Sequence, residues 1–333
     1  MKINFIDLQA QYQDYKSEID KEVLEVMTSA QFIGGPKLAK LEEDLATYTG
    51  AKHAIGCSSG TDALLLALMA LDIGPGDEVI TTPSTFIATA EVIALLGAKS
   101  VFVDIDEQTY NIDPSLIESA ITKQTKAIIP VSLYGQCADM DAINAVADKY
   151  SIPVIEDGCQ SFGALYKGKR SCNLSTIGCT SFFPSKPLGA YGDGGAIFTS
   201  DDVLASKMRM ILNHGQNERY KHKLIGINGR LDAIQAAVLN VKLTHFDAEV
   251  AKREEIGNRY TAMLQESSVT PPVIAKENHS VYAQYSIRTT DRETLSAHLQ
   301  SKDIPVAVHY PMPLHLQEAF ANLGYSKGDF PLS

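Results

Sequence analysis

The alternation of short apolar segments with helical segments between about residues 53 and 156 constrains the fold more than any other feature. The predicted strands lie near 53–57, 78–81, 99–104, 126–132 and 152–156. The predicted helices lie near 61–71, 85–96, 114–121 and 139–150. Such alternation predicts an α/β fold, a mostly parallel central sheet with helices on both faces. Two further segments, near 177–182 and 195–199, are predicted to complete the sheet.

Helical segments flank this alternating region. Apolar residues from Tyr12 to Val26 repeat at helical spacing, and Pro36 can begin a second helix. The pattern is helical again from Leu231 to about Gln265. This helical pattern ends near Pro272, and the chain that follows shows a different pattern of strands and one helix.

That C-terminal part predicts a smaller α+β domain, with strands at 281–288 and 305–310 and a helix at 292–300. We therefore divide the chain into a large domain with an N-terminal arm, residues 1–244, and a small domain, residues 245–333. Because the sequence stops in a loop-like segment, we expect the small domain to be incomplete.

The composition is that of an ordinary globular protein, 45% hydrophobic and 21% charged over 333 residues. The formal net charge of -11 and the lack of a basic stripe argue against a nucleic-acid partner. The 5 cysteines show no metal-binding spacing, so neither a metal site nor a disulfide framework is predicted. The sequence shows no signal peptide and no membrane span, and we expect a cytoplasmic protein.

An acid and a lysine carry the first indication of chemistry. Asp157 follows an apolar strand, and ligands of α/β sheets bind at the carboxyl ends of strands. Lys186 lies between two prolines and is followed by a glycine-rich segment, 189–195. This layout is typical of a pyridoxal phosphate enzyme, in which a lysine forms a Schiff base and an aspartate holds the pyridinium nitrogen. Taken alone, Asp157 also fits a helix-capping acid, and most lysines are solvated surface charges.

Other candidates surround these two. Gly60 and Thr61 lie where a strand leads into a helix, and such a turn either binds an anion or simply caps the helix. Gln160 can donate to a ring oxygen, or it is an ordinary loop residue. Phe86 can stack on a cofactor ring, although core packing is the commoner role of phenylalanine.

Two polar segments complete the set. Asn228 and Arg230 lie in a turn before a helix, which they can cap or use to bind an anion. His309 and His315 lie near a predicted strand end, but no third ligand at a suitable spacing supports a metal site.

Together these segments closely resemble the DegT/DnrJ/EryC1/StrS family of sugar aminotransferases, in the right order from residue 3 to the end. The motifs that carry the resemblance are Phe32-Ile33-Gly34-Gly35, Ser59-Gly60-Thr61-Asp62-Ala63-Leu64, Glu156-Asp157, Ser181-Phe182-Phe183-Pro184-Ser185-Lys186, Gly192-Asp193-Gly194-Gly195, Asn228-Gly229-Arg230-Leu231 and His309-Tyr310. The resemblance implies the type I aminotransferase fold and a homodimer with shared active sites.

The resemblance also implies roles for single residues. Lys186 is expected to link covalently to pyridoxal 5'-phosphate and to act as general acid and base. Asp157 is expected to pair with the pyridine nitrogen, Gln160 with the phenolic oxygen, and Phe86 with the ring face. The cofactor phosphate is expected to be held by Gly60, Thr61 and Ser181, together with Asn228 of the partner subunit. The sugar nucleotide is expected to contact Arg230, His309 and Tyr310.

Two departures from the usual family pattern narrow the expected substrate. Ser132 stands where many members have histidine, and Gly229 stands where many have an aromatic residue. Both resemble the subgroup that aminates UDP-2-acetamido-2-deoxy-3-oxo-glucuronate at C3 for O-antigen and lipopolysaccharide. The expected partners are therefore a UDP-sugar and glutamate, which leaves as 2-oxoglutarate.

Three alternatives remain at this point. A related enzyme could aminate C4 of a 4-keto-6-deoxy sugar nucleotide. Relatives that dehydrate the sugar carry histidine in place of the Schiff-base lysine, so Lys186 argues against that chemistry. A regulatory or binding protein on an inactive fold would not need Lys186, Asp157 and the phosphate turn together.

Overall fold

The computed structural model describes residues 3–333, and Met1 and Lys2 of the predicted large domain lie outside the described residues. The helices are α1 Leu8–Ser29, α2 Pro36–Thr49, α3 Gly60–Ala70, α4 Ala88–Leu95, α5 Pro114–Ala120, α6 Met140–Tyr150, α7 Asp202–Ile211, α8 Ala233–Leu264 and α9 Arg292–Ser301. The strands are β1 His53–Cys57, β2 Glu78–Thr81, β3 Lys99–Phe102, β4 Thr125–Ile128, β5 Ile155–Asp157, β6 Leu165–Tyr166, β7 Lys169–Arg170, β8 Ile177–Ser181, β9 Gly195–Thr199, β10 Gln216–Glu218, β11 Lys221–His222 and β12 Asn278–His279.

The central sheet has the strand order β3-β2-β4-β5-β8-β9-β1. Strand β2 pairs in parallel with β3 and β4, and β5 pairs in parallel with β8. Parallel bridges from Ile128 to Val154 and from Val131 to Asp157 join the two halves. Strand β9 alone in this sheet is antiparallel to its neighbours, β8 and β1. The prediction of a mostly parallel sheet is confirmed.

Helices cover both faces of the sheet because successive strand residues point to opposite sides. On β1, Ile55 packs into the core beneath α3 and α7, whereas Ala54 belongs to the core beneath α2 and α8. Leu41 and Leu45 of α2 are fully buried in that second core. Burying a leucine completely stabilises the fold by about 1.5–3 kcal/mol, so these helices are held mainly by their apolar faces.

The ends of the early helices follow their sequence signals. Pro36 occupies the first turn of α2, and Gly50 closes its last turn with φ 77°. Helix α8 runs for 32 residues and crosses residue 244 without interruption. The division at that residue therefore stays a prediction, and it falls inside a continuous helix.

The two strands predicted at 281–288 and 305–310 are wrong. Within the described residues these segments are irregular, apart from one bridge between Thr270 and Arg288. The backbone N–H groups of Val281 and Gln284 instead donate to the carbonyls of Gly135 and Tyr134, at 3.0 and 3.3 Å. Because these donors are occupied by the loop at residues 134–135, they cannot form a regular ladder.

None of the helices within residues 3–333 is both long enough and apolar enough to span a bilayer.

Strand β5 carries two acids with opposite surroundings. Glu156 is fully buried and accepts hydrogen bonds from the Ser171 hydroxyl at 2.7 Å and the Cys172 amide at 2.9 Å. Burial raises the pKa of Glu156 to about 7, although both donors act in the opposite direction. Glu156 therefore anchors the segment around Ser171 beneath the sheet, while Asp157, on the next position, points to the opposite face.

We expect the stability of the protein to fall with pH because of Glu156. Its folded pKa of about 7 lies above the ordinary value of 4.5, so its contribution is present below pH 4.5 and lost as pH rises through 7. In Glu156→Gln the amide stays neutral, and the wild type should lose about 2–4 kcal/mol relative to it across this window. Urea denaturation of both proteins between pH 5 and 8 measures the difference. Parallel pH profiles would contradict the assignment.

Candidate active site

The candidate residues converge because the ends of parallel strands meet at one edge of the sheet. Strands β1, β2, β5 and β8 end at Cys57, Thr81, Asp157 and Ser181. The segments that follow them carry Gly60 and Thr61, Phe86, Gln160, and Lys186. The predicted site therefore lies at the carboxyl edge of the sheet, where open α/β folds bind ligands.

Asp157 is buried and held from two sides. The Thr89 hydroxyl donates to its Oδ2 at 2.8 Å, and the Cys159 amide donates to its Oδ1 at 3.2 Å. The Thr89 hydroxyl is in turn 3.2 Å from that of Thr85, which lies four residues earlier and before the start of α4. These contacts fix the orientation of the carboxylate and leave lone pairs on both oxygens for a cationic donor.

Lys186 lies in a closed loop between β8 and β9. The Phe182 amide donates to the Gly194 carbonyl at 2.7 Å, and the Ala190 amide donates to the Phe182 carbonyl at 2.7 Å. The Lys186 amide donates to the Phe183 carbonyl at 2.8 Å, which turns the backbone at the lysine. The loop therefore presents Lys186 toward the carboxyl edge of the sheet.

The positive charge of Lys186 affects the pKa values of two neighbouring side chains. Burial lowers the pKa of His309, and the positive charge of Lys186 lowers it further, so His309 is neutral at neutral pH. Burial and the Asp157 charge raise the pKa of the Cys159 thiol, and Lys186 opposes them. The lysine amine is therefore close to His309 and Cys159, and Cys159 is in turn close to Asp157.

Strand β8 and helix α3 approach each other closely at Ser181 and Gly60, a place that we call the cradle. A Cβ atom added to Gly60 would come within 2.6 Å of the Ser181 Cβ, so a larger residue would push Ser181 away. The Ser59 hydroxyl accepts from the Asp62 amide at 3.0 Å and caps the helix. Since the first N–H groups of a helix lack internal acceptors, those of Gly60 and Thr61 are available to an anion at this helix start.

Gln160, Tyr310 and Phe86 form the wall above the strand ends. The Gln160 side-chain amide donates to the Tyr310 hydroxyl at 3.1 Å. The rings of Phe86 and Tyr310 lie 6.2 Å apart, and Phe86 is 53% exposed. An aromatic face that is half exposed beside a buried acid is available to a planar ligand. Burial raises the pKa of Tyr310 to about 12, which keeps its hydroxyl protonated.

Two residues that organise this site were missed from the sequence. Thr89 lies within the helix predicted over 85–96, and it was not singled out there as a site residue. Its spacing from Thr85 would place both hydroxyls on one face of that predicted helix, and in the structure the two hydroxyls are in contact. Tyr134 adopts φ 58°, donates its hydroxyl to the His309 carbonyl, and donates its backbone amide to the side-chain oxygen of Gln160 at 2.9 Å. Its signal was its place in the segment that contains Ser132.

Asn228 and Arg230 lie beside the cradle rather than inside the Lys186 cluster. The Ser58 amide donates to the Gly229 carbonyl at 2.9 Å, which fixes this segment against the turn before α3. Arg230 donates through Nη1 to Asn213 at 2.7 Å, and its buried Nε has no acceptor among residues 3–333. Asn228 is exposed. Within these residues no hydrogen bond links either side chain to Lys186.

The residues present fit pyridoxal phosphate. The Gly60–Ser181 cradle matches the phosphate, Asp157 matches the ring nitrogen, and the half-exposed face of Phe86 matches the ring. Lys186 supplies an amine at the same edge of the sheet. Residues 3–333 contain no cluster of three or more histidine, cysteine or acidic side chains arranged for a metal.

Comparison with known proteins gives the family. The model of the DegT/DnrJ/EryC1/StrS aminotransferase family matches residues 13–333. A relative from Pseudomonas aeruginosa, named UDP-2-acetamido-2-deoxy-3-oxo-D-glucuronate aminotransferase, is 58% identical over 96% of this chain and 89% of its own length.

Solved structures agree. DesV from S. venezuelae, in complex with a ketimine intermediate, has a TM-score of 0.97 at 39% identity, covering 99% of this chain and 90% of its own. The PLP-form of the putative sugar aminotransferase Spr1654 from Streptococcus pneumoniae has a TM-score of 0.91 at 27% identity, covering 100% and 90%. The fold is therefore that of the type I aminotransferases, and the chain belongs to the pyridoxal phosphate-dependent DegT/DnrJ/EryC1/StrS aminotransferase family.

Proposed function

We propose that this enzyme transfers the amino group of glutamate to C3 of UDP-2-acetamido-2-deoxy-3-oxo-D-glucuronate. The observation that carries the substrate is the 58% identity to the Pseudomonas relative, whose name states that activity. The convergence of Lys186 and Asp157 at one edge of the sheet supports the transamination itself. The products are 2-oxoglutarate and the 3-amino sugar nucleotide, an intermediate suited to O-antigen and lipopolysaccharide assembly in the cytoplasm.

The bound cofactor supplies an electrophilic carbon for an amine and a ring that withdraws electrons from the adjacent C–H bond. Lys186 is proposed to hold the cofactor and, once free, to carry the proton between the substrate carbon and the cofactor. Asp157 keeps the ring nitrogen protonated, because opposite charges favour both ionised forms. The same residues then serve the keto-sugar with the proton moving in the opposite direction.

Gly60, Thr61 and Ser181 are proposed to bind the phosphate of the cofactor, and Gln160 its phenolic oxygen. Gln160 already donates to Tyr310 at 3.1 Å, so its amide faces the space above the strand ends. His309 and Tyr310 are proposed to face the sugar nucleotide. Because His309 is neutral near Lys186, it can accept or donate a hydrogen bond to a sugar hydroxyl without repelling the lysine.

Arg230 is proposed to recognise the carboxylate of the sugar. Its buried Nε has no protein acceptor among the described residues, although Nη1 is bonded to Asn213. An unpaired buried donor is unfavourable, and a carboxylate matches the planar fork of arginine in two places. A 4-keto-6-deoxy sugar lacks this group, so this contact separates the proposed substrate from the C4 alternative.

A homodimer with shared sites is proposed to complete the cofactor site. Asn228 is exposed next to the cradle in one protomer, and the proposed role of Asn228 is to reach the cofactor phosphate of the partner. Exposed apolar side chains, among them Ile33 at 57% and Phe183 at 51%, lie in two of the motif segments and supply apolar surface for burial. A closed two-fold arrangement gives two such sites per dimer.

The test of the function is an assay with glutamate and a matched set of sugar nucleotides. The set contains the 3-oxo-glucuronate, its neutral counterpart with a hydroxymethyl group at C5, and a 4-keto-6-deoxy sugar. Formation of 2-oxoglutarate and of the amino sugar is followed by mass spectrometry. Preference for the 3-oxo acid supports the proposal, and a preference for the 4-keto sugar would replace it with the C4 alternative.

Replacing Lys186 with alanine should abolish turnover. Loss of a covalent nucleophile lowers rates by several orders of magnitude, on the order of 10³ or more. Borohydride reduction followed by peptide mapping should attach the cofactor to the 182–195 peptide in the wild type and not in Lys186→Ala. The control is Lys167→Ala, a surface lysine paired with Asp141 at 2.6 Å, which should keep full activity. Turnover by Lys186→Ala without an added amine would contradict the role.

Mixing two variants that are each expected to be inactive tests whether one active site uses residues from both subunits. After subunit exchange between Lys186→Ala and Asn228→Ala, each hybrid dimer should have one intact site and one doubly damaged site. An equal mixture should then regain about a quarter of the wild-type sites, since half of the dimers are hybrids. Proven exchange without any gain in activity would place both residues in the same subunit's site.

The change Arg230→Lys should discriminate between acid and neutral sugars. The acid substrate should bind more weakly by about 1.5–3 kcal/mol, the range for hydrogen bonds to charged groups, and the neutral counterpart should change little. Isothermal titration of both nucleotides measures the pair of affinities. The matched control is Arg288→Lys, a surface arginine paired with Glu107 at 2.7 Å. Equal losses on both sugars would remove the carboxylate from the proposal.

A further inference from the structure

Helix α8 holds the Lys186 loop at two points. The side-chain carbonyl of Gln235 accepts the Tyr191 amide at 2.9 Å. Two helical turns later, the Lys242 amine donates to the Gly189 carbonyl. Residues seven apart lie on the same face of a helix, so one face of α8 contacts the second half of the Lys186 loop.

Lys242 is unusual because it is a buried cation without a carboxylate beside it. The residue is 2% exposed, and the hydrogen bond that its amine makes within residues 3–333 goes to a carbonyl oxygen. Its amine lies 5.1 Å from the centroid of the Tyr191 ring. Burial lowers the pKa of Lys242 to about 8, Glu249 opposes that shift, and Arg253 adds to it. Placing an ammonium here is unfavourable for folding, because its only close partners are a carbonyl and a ring.

The loop needs an external support. Glycines at 189, 192, 194 and 195 give its backbone wide conformational freedom. Gly189 lies three residues after Lys186, and a Cβ atom there would come within 2.4 Å of the Pro184 carbonyl. The backbone therefore folds back tightly on the lysine turn at this point. The bond from Lys242 sets the direction of the Gly189 carbonyl and, through it, the turn that carries Lys186.

We propose that Lys242 is a positioning residue that holds the loop of Lys186 in its working conformation. This role rests on the proposed function of Lys186, and it adds a residue about two helical turns inside α8 to the machinery of the enzyme. Lys242 does not touch the reacting atoms. Its contribution is to keep the lysine amine aligned, for which small displacements carry large losses in rate.

The test is Lys242→Met, with Lys207→Met as the matched control. Methionine fills a similar volume and cannot donate a hydrogen bond, and it removes the cost of burying a charge that no carboxylate pairs with. Lys207 is a surface lysine paired with Asp72 at 2.6 Å on α7. Hydrogen exchange is measured first on both proteins without cofactor, which makes this readout independent of any activity.

We expect exchange in the 182–195 peptide to quicken by about tenfold in Lys242→Met, because one of its two anchors is lost. The Tm should be unchanged or higher. In the loaded enzyme kcat should fall about tenfold or more while the KM values stay constant, since alignment and not binding is lost. Lys207→Met should match the wild type in every measurement.

Three results would overturn the proposal. Unchanged exchange in 182–195 would show that Lys242 does not hold the loop. A lower Tm, or failure of Lys242→Met to fold, would show that the residue serves stability. Faster exchange with unchanged kcat would show that Lys186 does not need the support. If the chain aminates no keto-sugar, the exchange result still judges the anchor, so the two failures are distinguishable.

Discussion

The parallel pairing of β5 with its neighbours is the constraint on which the rest of the structure depends. The bridges from Val131 to Asp157 and from β5 to β8 bring several strand ends to the same edge. The segments that carry Gly60, Gln160 and Lys186 each begin where a strand of this sheet ends. The acid is held rigidly because its strand is buried, whereas the lysine needs a loop to reach it. The site therefore combines a fixed acid with a lysine whose position has to be secured.

Two ionisable side chains, Glu156 and Lys242, are buried in the interior at positions where each holds an irregular segment. Glu156 is fully buried beneath the sheet and binds the Ser171 hydroxyl and the Cys172 amide. Lys242 is buried beneath the Lys186 loop and binds a single carbonyl. Burial is unfavourable for each group, because desolvation disfavours the charged form of both. Their common feature is an irregular segment that follows a sheet strand and has few backbone bonds of its own. Polar anchors from the interior give these segments a defined conformation.

Much of the fold was predictable because it follows from local patterns. The alternation of strands and helices gave the central sheet, and Pro36 gave the start of α2. The strand predicted at 281–288 failed because its backbone donors are taken by a distant loop, a contact that no local pattern reveals. In the site, Asp157 and Lys186 follow strong strand signals. Thr89 and Tyr134 act through contacts across about 68 and 175 positions of sequence, and such pairs become visible only in the folded chain.

The same distinction explains why Arg230 and Asn228 stand apart from the other candidates. They flank Gly229, whose carbonyl accepts the Ser58 amide, so their backbone is fixed against the turn before α3. Their side chains nevertheless meet no part of the Lys186 cluster in one protomer. The exposed amide of Asn228 and the buried Arg230 Nε, which has no acceptor among residues 3–333, are incomplete features of a single chain. A second protomer and an anionic substrate are the two additions that would complete them, because each supplies what one chain lacks. The choice of sugar would then be decided at the edge of the cradle, whereas the buried strand ends carry the residues proposed for transamination.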